Sequence, residues 1–468
     1  MTKKEFKRAM QCGLGRCILE LHTTDQINRY RDIVLWGCTH NLSYDTQCEG
    51  TRSYYLYQLV NCFPDVSYFV NTVITYFYKN LCHTGWEFLQ FCDFLELFAA
   101  EGNLTATNAL QEGYYRLYDI LIKKRKKTTT HTLPERDNFE SLCISIVNIS
   151  KTTNDCIDRY LEVAEHIGLL ILENPLFTDW HFDWFQTHWE QELGKSKIRT
   201  LLKRKAKAST GLSYYWNDLQ KWEQSGKQCA QNYRQSLKNT TAQTVYNMLQ
   251  NGALVGKNIP LMVARRMKQE GQEAQKLADY YQQETNLSVR TSLLHLLSIQ
   301  DCSQLLDATS VIADSQSDYP ALKEYAFKAL ATMRDDKIHA YAWELLHKKE
   351  RITDVIYMLA NNYQKTDRTV LITLIKSLPV TYQEVVAWHG PFLAVLNLLE
   401  TGHNKHAPRE LLPYLYEHTL CSCCREYILR EMKRRKMLTH DLLQECLYDS
   451  SETIRNFAKK SSLLPMSY

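Results

Sequence analysis

Short apolar stripes with helical spacing recur in the C-terminal half of this sequence, and they constrain its fold more than any other feature. One stripe consists of Leu322, Tyr325, Ala326, Ala329, Leu330 and Met333. Others begin at Ile338, Ile352 and Leu371. Apolar residues at positions i, i+3, i+4 and i+7 line one face of an α-helix. Because each stripe is only about three turns long, the pattern predicts helix pairs that bury their apolar faces against one another.

The rest of the sequence favours the same all-α fold. The chain has 468 residues but only 16 Gly and 10 Pro, and no segment alternates apolar and polar residues over a useful strand length. Asn286, Asp318, Asp367 and Asp449 each precede a stripe or an apolar–Arg pair. A short polar side chain at such a position accepts hydrogen bonds from free helix N–H groups, so we expect these four residues to cap the helices that follow.

The segment Leu447–Ala458 carries a family resemblance. An aspartate turn at Asp449 leads into a helix with the pair Ile454-Arg455, and Ala458 stands where two helices must pack closely. This arrangement resembles the second half of a HEAT repeat, and the resemblance is clearest over residues 286–460. It implies an irregular α-solenoid of stacked antiparallel helix pairs. The repeat starts are unevenly spaced, by roughly 30 to 50 residues, so an irregular helical bundle is the alternative.

Composition divides the chain into three predicted regions. These are an N-terminal helical region of divergent repeats (1–122), a middle helical region (135–285) and the HEAT-like region (286–468). A charge run, a threonine run and a proline predict a linker at Lys123–Pro134, and a second break falls at Lys205–Leu212. In the first region we expect helices at 27–36, 52–62, 66–79, 84–100 and 107–122.

The segment 37–52 is the densest polar cluster in the sequence. Its candidate site residues are His40, Asn41, Tyr44, Asp45, Glu49 and Arg52. Asp45 and Glu49 have the chemistry of a general base, His40 that of a proton shuttle, and Arg52 that of an anion ligand. The simpler interpretation is a capped loop in which the polar side chains satisfy backbone donors and Arg52 pairs with Glu49.

A second cluster combines aromatic, acidic and basic residues. Its members are Trp180, Asp183, Trp184, Lys203, Arg204 and Lys205. Aromatic planes beside a carboxylate suit a flipped nucleobase, and the cations suit phosphates. HEAT-like DNA glycosylases of the alkylpurine class use a face of this general kind, although none of their specific motifs occurs here. The simpler interpretation is that tryptophans anchor the core and cations cover a solvated helix face.

The sequence predicts no metal and no cofactor. The thiols of Cys421, Cys423 and Cys424 follow His418, but the spacing does not form paired zinc knuckles. Gly-rich phosphate loops and the HExxH and GxSxG motifs are absent. Fifteen cysteines, an odd number, are typical here of reduced thiols, and no apolar run approaches the roughly 20 residues of a membrane span. We therefore expect a cytoplasmic protein that does not enter the membrane.

These patterns lead to one preferred function and two alternatives. The preferred one is a non-catalytic helical-repeat module that binds a protein or peptide on its concave face. The first alternative is a nucleic-acid-binding protein of the same fold with base-excision activity, although a net charge of only +4 provides no strong overall field. The second is an enzyme centred on His40, Asp45 and Glu49.

Overall fold

The computed structural model of the chain is helical throughout the part it describes. That part comprises residues 1–83, 85–123, 134–153, 155–173, 183–238, 240–269, 271–378, 385–400 and 407–462. Across these ranges no strand is present, and a single isolated β-bridge joins Val255 to Ile259. The all-α prediction is therefore confirmed. No helix within the same ranges combines the length and the apolar character needed to cross a membrane.

The helices up to residue 238 are α1 (Lys3–Cys12), α2 (Arg16–Thr23), the 3₁₀ helix η1 (Ile27–Tyr30), α3 (Arg31–Cys38), α4 (Thr46–Glu49), α5 (Ser53–Asn61), α6 (Val66–Asn80), α7 (Trp86–Ala100), α8 (Leu104–Lys123), α9 (Pro134–Ile149), η2 (Ser150–Thr153), α10 (Cys156–Glu173), α11 (Asp183–Leu193), α12 (Lys195–Lys205) and α13 (Thr210–Lys238). The chain leaves the helical conformation between α12 and α13, within the break expected at 205–212, and both helices belong to one compact unit. The first linker lies outside the described residues, except at its ends.

The later helices are α14 (Ala242–Gln250), α15 (Met262–Gln269), α16 (Gly271–Gln283), α17 (Leu287–Leu297), α18 (Ala308–Ser315), α19 (Pro320–Leu330), α20 (Asp336–Lys348), α21 (Ile352–Asn362), α22 (Asp367–Ser377), α23 (Val385–Glu400), α24 (Leu411–His418), α25 (Ser422–Arg434), α26 (His440–Cys446) and α27 (Glu452–Ser462). The four apolar stripes read from the sequence correspond to α19, α20, α21 and α22. In α19, Leu322, Ala326, Ala329 and Leu330 are buried.

The chain forms two compact units. The first unit comprises residues 1–227, 420–426 and 438–468, and the second comprises 228–419 and 427–437. The four divisions fall within α13, just before α25, within α25, and between α25 and α26. The three regions named from the sequence follow composition and repeat pattern, and they stay a prediction.

Helix α7 is the central helix of the first unit. It packs against α5, α6, α8 and α9. Four phenylalanines on it are buried, namely Phe88, Phe91, Phe94 and Phe98. An aromatic helix of this kind is surrounded on several sides because apolar residues occupy most of its faces.

The two ends of the sequence meet inside the first unit. The Ser450 N–H donates to the Gly13 carbonyl at 2.9 Å. Arg16 Nε lies 3.0 Å from Glu445 Oε1. Gly15 approaches the same segment so closely that a Cβ on it would lie 1.9 Å from the Glu445 carbonyl oxygen. Residues more than 400 positions apart therefore share one core.

Helices of the second unit pack mainly on their near neighbours in sequence. Between α14 and α23 the larger contacts join consecutive helices or helices close to each other along the chain, such as α18 with α19, α20 with α21, α17 with α19, and α21 with α23. The helices predicted from the apolar stripes therefore pack on helices that are close to them in the sequence.

The four predicted caps have different outcomes. Asn286 is confirmed, since its side chain accepts from the N–H groups of Ser288 and Val289. The prediction for Asp318 is wrong, because Tyr319 occupies the N-cap of α19 and no side-chain hydrogen bond caps that helix. The prediction for Asp367 is also wrong, because Asp367 is the first residue of α22 and Thr366 occupies the N-cap. Asp449 accepts from the Ser451 N–H at 2.8 Å, just before α27.

Asp367 is directed toward a neighbouring helix of the second unit. Its carboxylate is fully buried and accepts from Trp343 Nε1 at 2.5 Å and from the Gln364 N–H at 2.7 Å. His339 Nε2 lies 3.1 Å from the same carboxylate. The acid therefore joins α20 to α22, a role that a local cap pattern does not reveal.

Candidate functional site

Polar side chains of the segment 39–52 fold the loop itself. Asn41 Nδ2 donates to Thr46 Oγ1 at 2.9 Å, and Asn41 Oδ1 accepts from the Ser43 N–H. Ser43 Oγ donates to the Gly50 carbonyl at 2.8 Å. Asp45 caps the short helix α4 by accepting from two backbone N–H groups. These contacts are the ones expected of a capped loop.

Glu49 and Arg52 are buried at the base of this loop. The Glu49 carboxylate accepts from the N–H groups of Asp45 at 2.9 Å and Ser422 at 2.8 Å. Arg52 Nη2 lies 3.6 Å from Glu49 Oε2 and donates to the Leu420 carbonyl at 2.6 Å. Both side chains therefore tie the loop to the segment around residue 421, within the first unit.

His40 and Tyr44 have different surroundings. His40 is exposed, its Nδ1 lies 2.8 Å from the Trp36 carbonyl, and its ring stacks on Trp36 at 4.9 Å. Tyr44 is 37% exposed, and partial burial together with the neighbouring Cys421 and Cys424 raises the pKa of its hydroxyl. The catalytic and binding roles suggested for the loop residues stay predictions.

Side chains and backbone groups of helix α7 form hydrogen bonds with the loop and its flanking residues. Gln90 is fully buried and its Nε2 donates to the carbonyls of His40 at 2.9 Å and Gly37 at 3.1 Å. Ser53 Oγ donates to the Gln90 carbonyl, and Thr51 Oγ1 donates to the Asp93 carboxylate. The loop thus covers a face of α7 that carries acidic residues.

Asp93 and Glu96, which we call the acid pair, are the most perturbed carboxyl groups of this face. They stand three residues apart on α7 and therefore on neighbouring positions of one helix face. Burial raises the pKa of Asp93 to about 6. Burial, and then the charge of Asp93, raise the pKa of Glu96 to about 7. Two carboxyls that titrate near neutrality have the properties of acid–base groups or of ligands for a cation.

Helix α9 and the turn after it complete the surroundings of the acid pair. Glu96 has hydrogen bonds with the side chains of Asn148 and Ser145, and the positive charge of Lys151 partly offsets the rise in its pKa. The Oδ1 atom of Asn148 is buried and has no hydrogen-bond partner among the described residues. Carboxylate, amide and hydroxyl oxygens are the donor types that hard cations prefer. These oxygen donors are of the type that binds a hard cation. Among the described residues, however, no third acidic or imidazole ligand joins the acid pair.

The second sequence cluster is only partly within the described residues. Trp180 and the side chain of Asp183 lie outside them, and Trp184 is 59% exposed. Lys203, Arg204 and Lys205 are exposed in the last turn of α12. Consecutive helix residues point about 100° apart, so these three cations do not form one flat patch.

Arg199, on the same helix, is engaged in ion pairs. Its Nε lies 2.6 Å from Glu190 and its Nη1 2.6 Å from Glu223. Hydrogen bonding to Glu223 is the main reason that the pKa of Arg199 is raised. This part of the basic run joins helices and does not present a free charge.

The second unit contains an open pocket of about 530 Å³ beside the C-terminal end of α14. We call it the amide pocket. Its lining residues are Thr244, Asn247, Met248, Asn251, Gly252, Ala253 and Asn258. Its volume falls within the range of small-ligand sites.

The three asparagines of the amide pocket each use one end of the side-chain amide. Asn247 accepts from Gln243, Asn251 Nδ2 donates to the Asn247 carbonyl, and Asn258 accepts from the Leu254 N–H. Over the described residues the other end of each amide has no protein partner. Two donors and one acceptor are therefore available at the pocket.

The comparisons with known proteins give no match, either to a family model or to a curated protein. Sequence reasoning missed both the acid pair and the amide pocket. A signal for the acid pair was present, because Asp93 and Glu96 interrupt the aromatic run of α7 from Trp86 to Phe98. Acidic residues in a helix that is otherwise apolar indicate buried carboxyls.

Proposed function

We propose that this chain is a helical-repeat interaction module that binds a protein segment or peptide. We further propose that the helix pairs of the second unit stack as an irregular HEAT-like solenoid whose concave face carries the binding site. The packing of α14 to α23 on their near neighbours in sequence supports this arrangement. The amide pocket is the observation that carries the functional proposal.

The chemistry of the amide pocket fits a peptide backbone. A backbone in an extended conformation offers one N–H and one carbonyl per residue, and unpaired side-chain amides can pair with both. The Asn247 and Asn258 Nδ2 groups would donate, and the Asn251 Oδ1 atom would accept. Such contacts bind main chain and leave sequence preference to the neighbouring side chains.

Exposed apolar and cationic residues that lie close in sequence to the pocket-lining Ala253 and Asn258 support one such preference. Leu254, Leu261 and Met262 are 54%, 42% and 43% exposed, and all lie within nine residues of the chain. Lys257 and Arg265 on the same segment are exposed as well. We therefore expect an extended peptide with an apolar anchor and acidic flanks.

Selection from a displayed random peptide library against the full-length protein tests the proposal. We expect enriched apolar–acidic peptides whose affinity, measured by calorimetry, falls at least about tenfold when Asn247→Ala and Asn251→Ala are combined, which corresponds to the loss of one or two hydrogen bonds. Asn71→Ala, an exposed asparagine on α6, is the matched control. Failure to enrich peptides, or equal binding by both variants, would contradict the proposal.

Nucleic-acid binding is a second candidate, favoured by the exposure of Lys203, Arg204 and Lys205. Fluorescence anisotropy with short labelled single- and double-stranded DNA and RNA, at low and near-physiological salt, tests it. Steep salt dependence, together with weaker binding after Lys203→Glu, Arg204→Glu and Lys205→Glu, would support it, and base excision would be examined next. Absence of binding at low salt would remove this candidate.

A further inference from the structure

A pair of thiols in the first unit lies at the start of α25. Cys421 immediately precedes the helix, and its carbonyl accepts from the Arg425 N–H at 3.1 Å, which places Cys421 at the N-cap. Cys424 stands one turn further along. Their Sγ atoms lie within 4.8 Å of each other, and the two thiols are hydrogen-bonded.

Cys421 stands at the N-terminal end of α25. The first N–H groups of a helix have no intrahelical partner and stabilise negative charge close to them. Hydrogen bonding to Cys421 and then burial raise the pKa of Cys424. Two adjacent thiols, one to form a mixed disulfide and one to resolve it, are the arrangement required for stepwise thiol–disulfide exchange.

We propose that Cys421 and Cys424 form a redox-active dithiol that is oxidised to an intramolecular disulfide by a low-molecular-weight disulfide. The Cys421 thiolate attacks one sulfur of the oxidant, forms a mixed disulfide and releases one thiolate. The Cys424 thiol loses its proton to solvent, and the resulting thiolate attacks Cys421 Sγ and releases the second thiolate. Two protein thiols are oxidised and one small disulfide is reduced to two thiols.

Geometry permits this bond with a small adjustment. Side chains three residues apart at a helix end have Cβ atoms about 5–6 Å apart, whereas a disulfide needs about 3.5–4.5 Å. Cys421 has the conformational freedom of a residue outside the helix, so the approach does not require unwinding α25. Cys421 and Cys424 retain 7% and 6% of their surface, which gives a small reagent limited access.

The dithiol also lies next to the contacts that hold the 39–52 loop. Leu420 accepts from Arg52, and Ser422 donates to Glu49. Cys423 Sγ lies 3.9 Å from the Cys48 carbonyl, and burial together with Cys421 raises the pKa of Cys423 to about 11. A change at the dithiol is therefore transmitted directly to the segment that anchors this loop.

Peptide mapping of the full-length protein, equilibrated with mixtures of oxidised and reduced glutathione and quenched by alkylation, tests the proposal. The tryptic peptide Glu410–Arg425 contains Cys421, Cys423 and Cys424. In the wild type we expect this peptide to carry a disulfide between Cys421 and Cys424. Its mass should then be two hydrogens below that of the reduced peptide, plus one alkyl group on Cys423. Cys423→Ser should retain this disulfide, and Cys424→Ser should accumulate glutathione on Cys421.

Cys229 provides the control. It is an exposed free cysteine on α13, so it should form a glutathione adduct that no second thiol resolves. Loss of the intramolecular disulfide in Cys423→Ser would overturn the proposal. So would thiols at 421 and 424 that react only in denaturant, or stoichiometric zinc released only when these thiols are alkylated.

Discussion

The acid pair shows how single residues couple stability to pH in this protein. The ordinary pKa values are 3.8 for Asp93 and 4.5 for Glu96, and in the folded state they rise to about 6 and about 7. The folded state therefore holds more protons than the unfolded state between about pH 4 and 7. The free energy of unfolding should fall as pH rises through this window and level off above about pH 7.

Glu96→Gln and Asp93→Asn should reduce that pH dependence. An amide carries no charge to desolvate, so each variant should gain about 1–2 kcal/mol of stability at pH 8 relative to the wild type, and little at pH 4. Urea denaturation at pH 4, 6 and 8 measures the effect. Asp318→Asn, at an exposed carboxyl, is the control. A wild-type pH profile retained by Glu96→Gln would disprove the assignment.

Arg425 and Asp449 form a fully buried ion pair in the first unit. Arg425 Nη2 lies 2.8 Å from Asp449 Oδ1, Nε lies 3.0 Å from Oδ2, and both side chains are 0% exposed. Arg425→Met leaves a buried carboxylate without its cation, and we expect a loss of about 3–5 kcal/mol. Arg434→Met on the same helix removes a pair with Glu431 whose arginine is 52% exposed, and should cost less than about 1 kcal/mol. Equal urea midpoints for the two variants would contradict this account.

At the scale of elements, glycine determines how closely two helices of the first unit approach. A Cβ on Gly168 of α10 would lie 1.8 Å from the Gly211 carbonyl oxygen of α13, which is backbone and cannot rotate away. Gly168→Ala should therefore separate α10 from α13 and destabilise the unit by about 1–3 kcal/mol or more.

Gly226→Ala on α13 is the matched control for that substitution. A Cβ on Gly226 meets nothing within 4 Å, so alanine should be neutral or should stabilise the protein by up to about 1 kcal/mol through its higher helix propensity. Circular dichroism during urea denaturation compares the two variants. Two variants of similar stability would mean that α10 and α13 are not in close contact.

Tyrosines connect neighbouring helices in both units. Tyr78 on α6 donates to Glu112 on α8 at 2.6 Å, and Tyr115 on α8 donates to Glu162 on α10 at 2.8 Å. In the second unit Tyr246 donates to Glu284 at 2.9 Å. Part of the high tyrosine content thus joins helices by a hydroxyl–carboxylate bond, and those tyrosines are not free anchors for a partner.

Helix positions could be predicted from the sequence because their signals are local. Helix α6 was expected at 66–79 and occupies Val66–Asn80, since Pro64 and Asp65 define its start. The acid pair could not be predicted as a site, because its raised pKa values come mainly from burial, which depends on how other helices pack on α7. Asp367 was misassigned for the same reason, since its partners His339 and Trp343 belong to another helix.

At the scale of the whole molecule, the first unit departs from an array in which repeats contact only their neighbours. Its N-terminal helices share a core with α26 and α27, through Gly13, Gly15 and Arg16 on one side and Glu445 and Ser450 on the other. In a linear repeat array the loss of a terminal repeat frays only its neighbour. Here the helices that contact α26 and α27 are distant from them in sequence. Loss of α26 and α27 should therefore affect helices near the N-terminus and not only the preceding helix.

Truncation after Met437 should therefore remove protection from helices near the N-terminus. Without α26 and α27, the Gly13 carbonyl loses its donor and the buried Arg425 loses Asp449, so α1, α2 and α5 should exchange their amide hydrogens faster. Hydrogen exchange with mass spectrometry measures this, and α17 to α21 of the second unit provide the internal control. Faster exchange only in α25 and the residues next to the new terminus would show instead that the ends of the sequence are energetically independent.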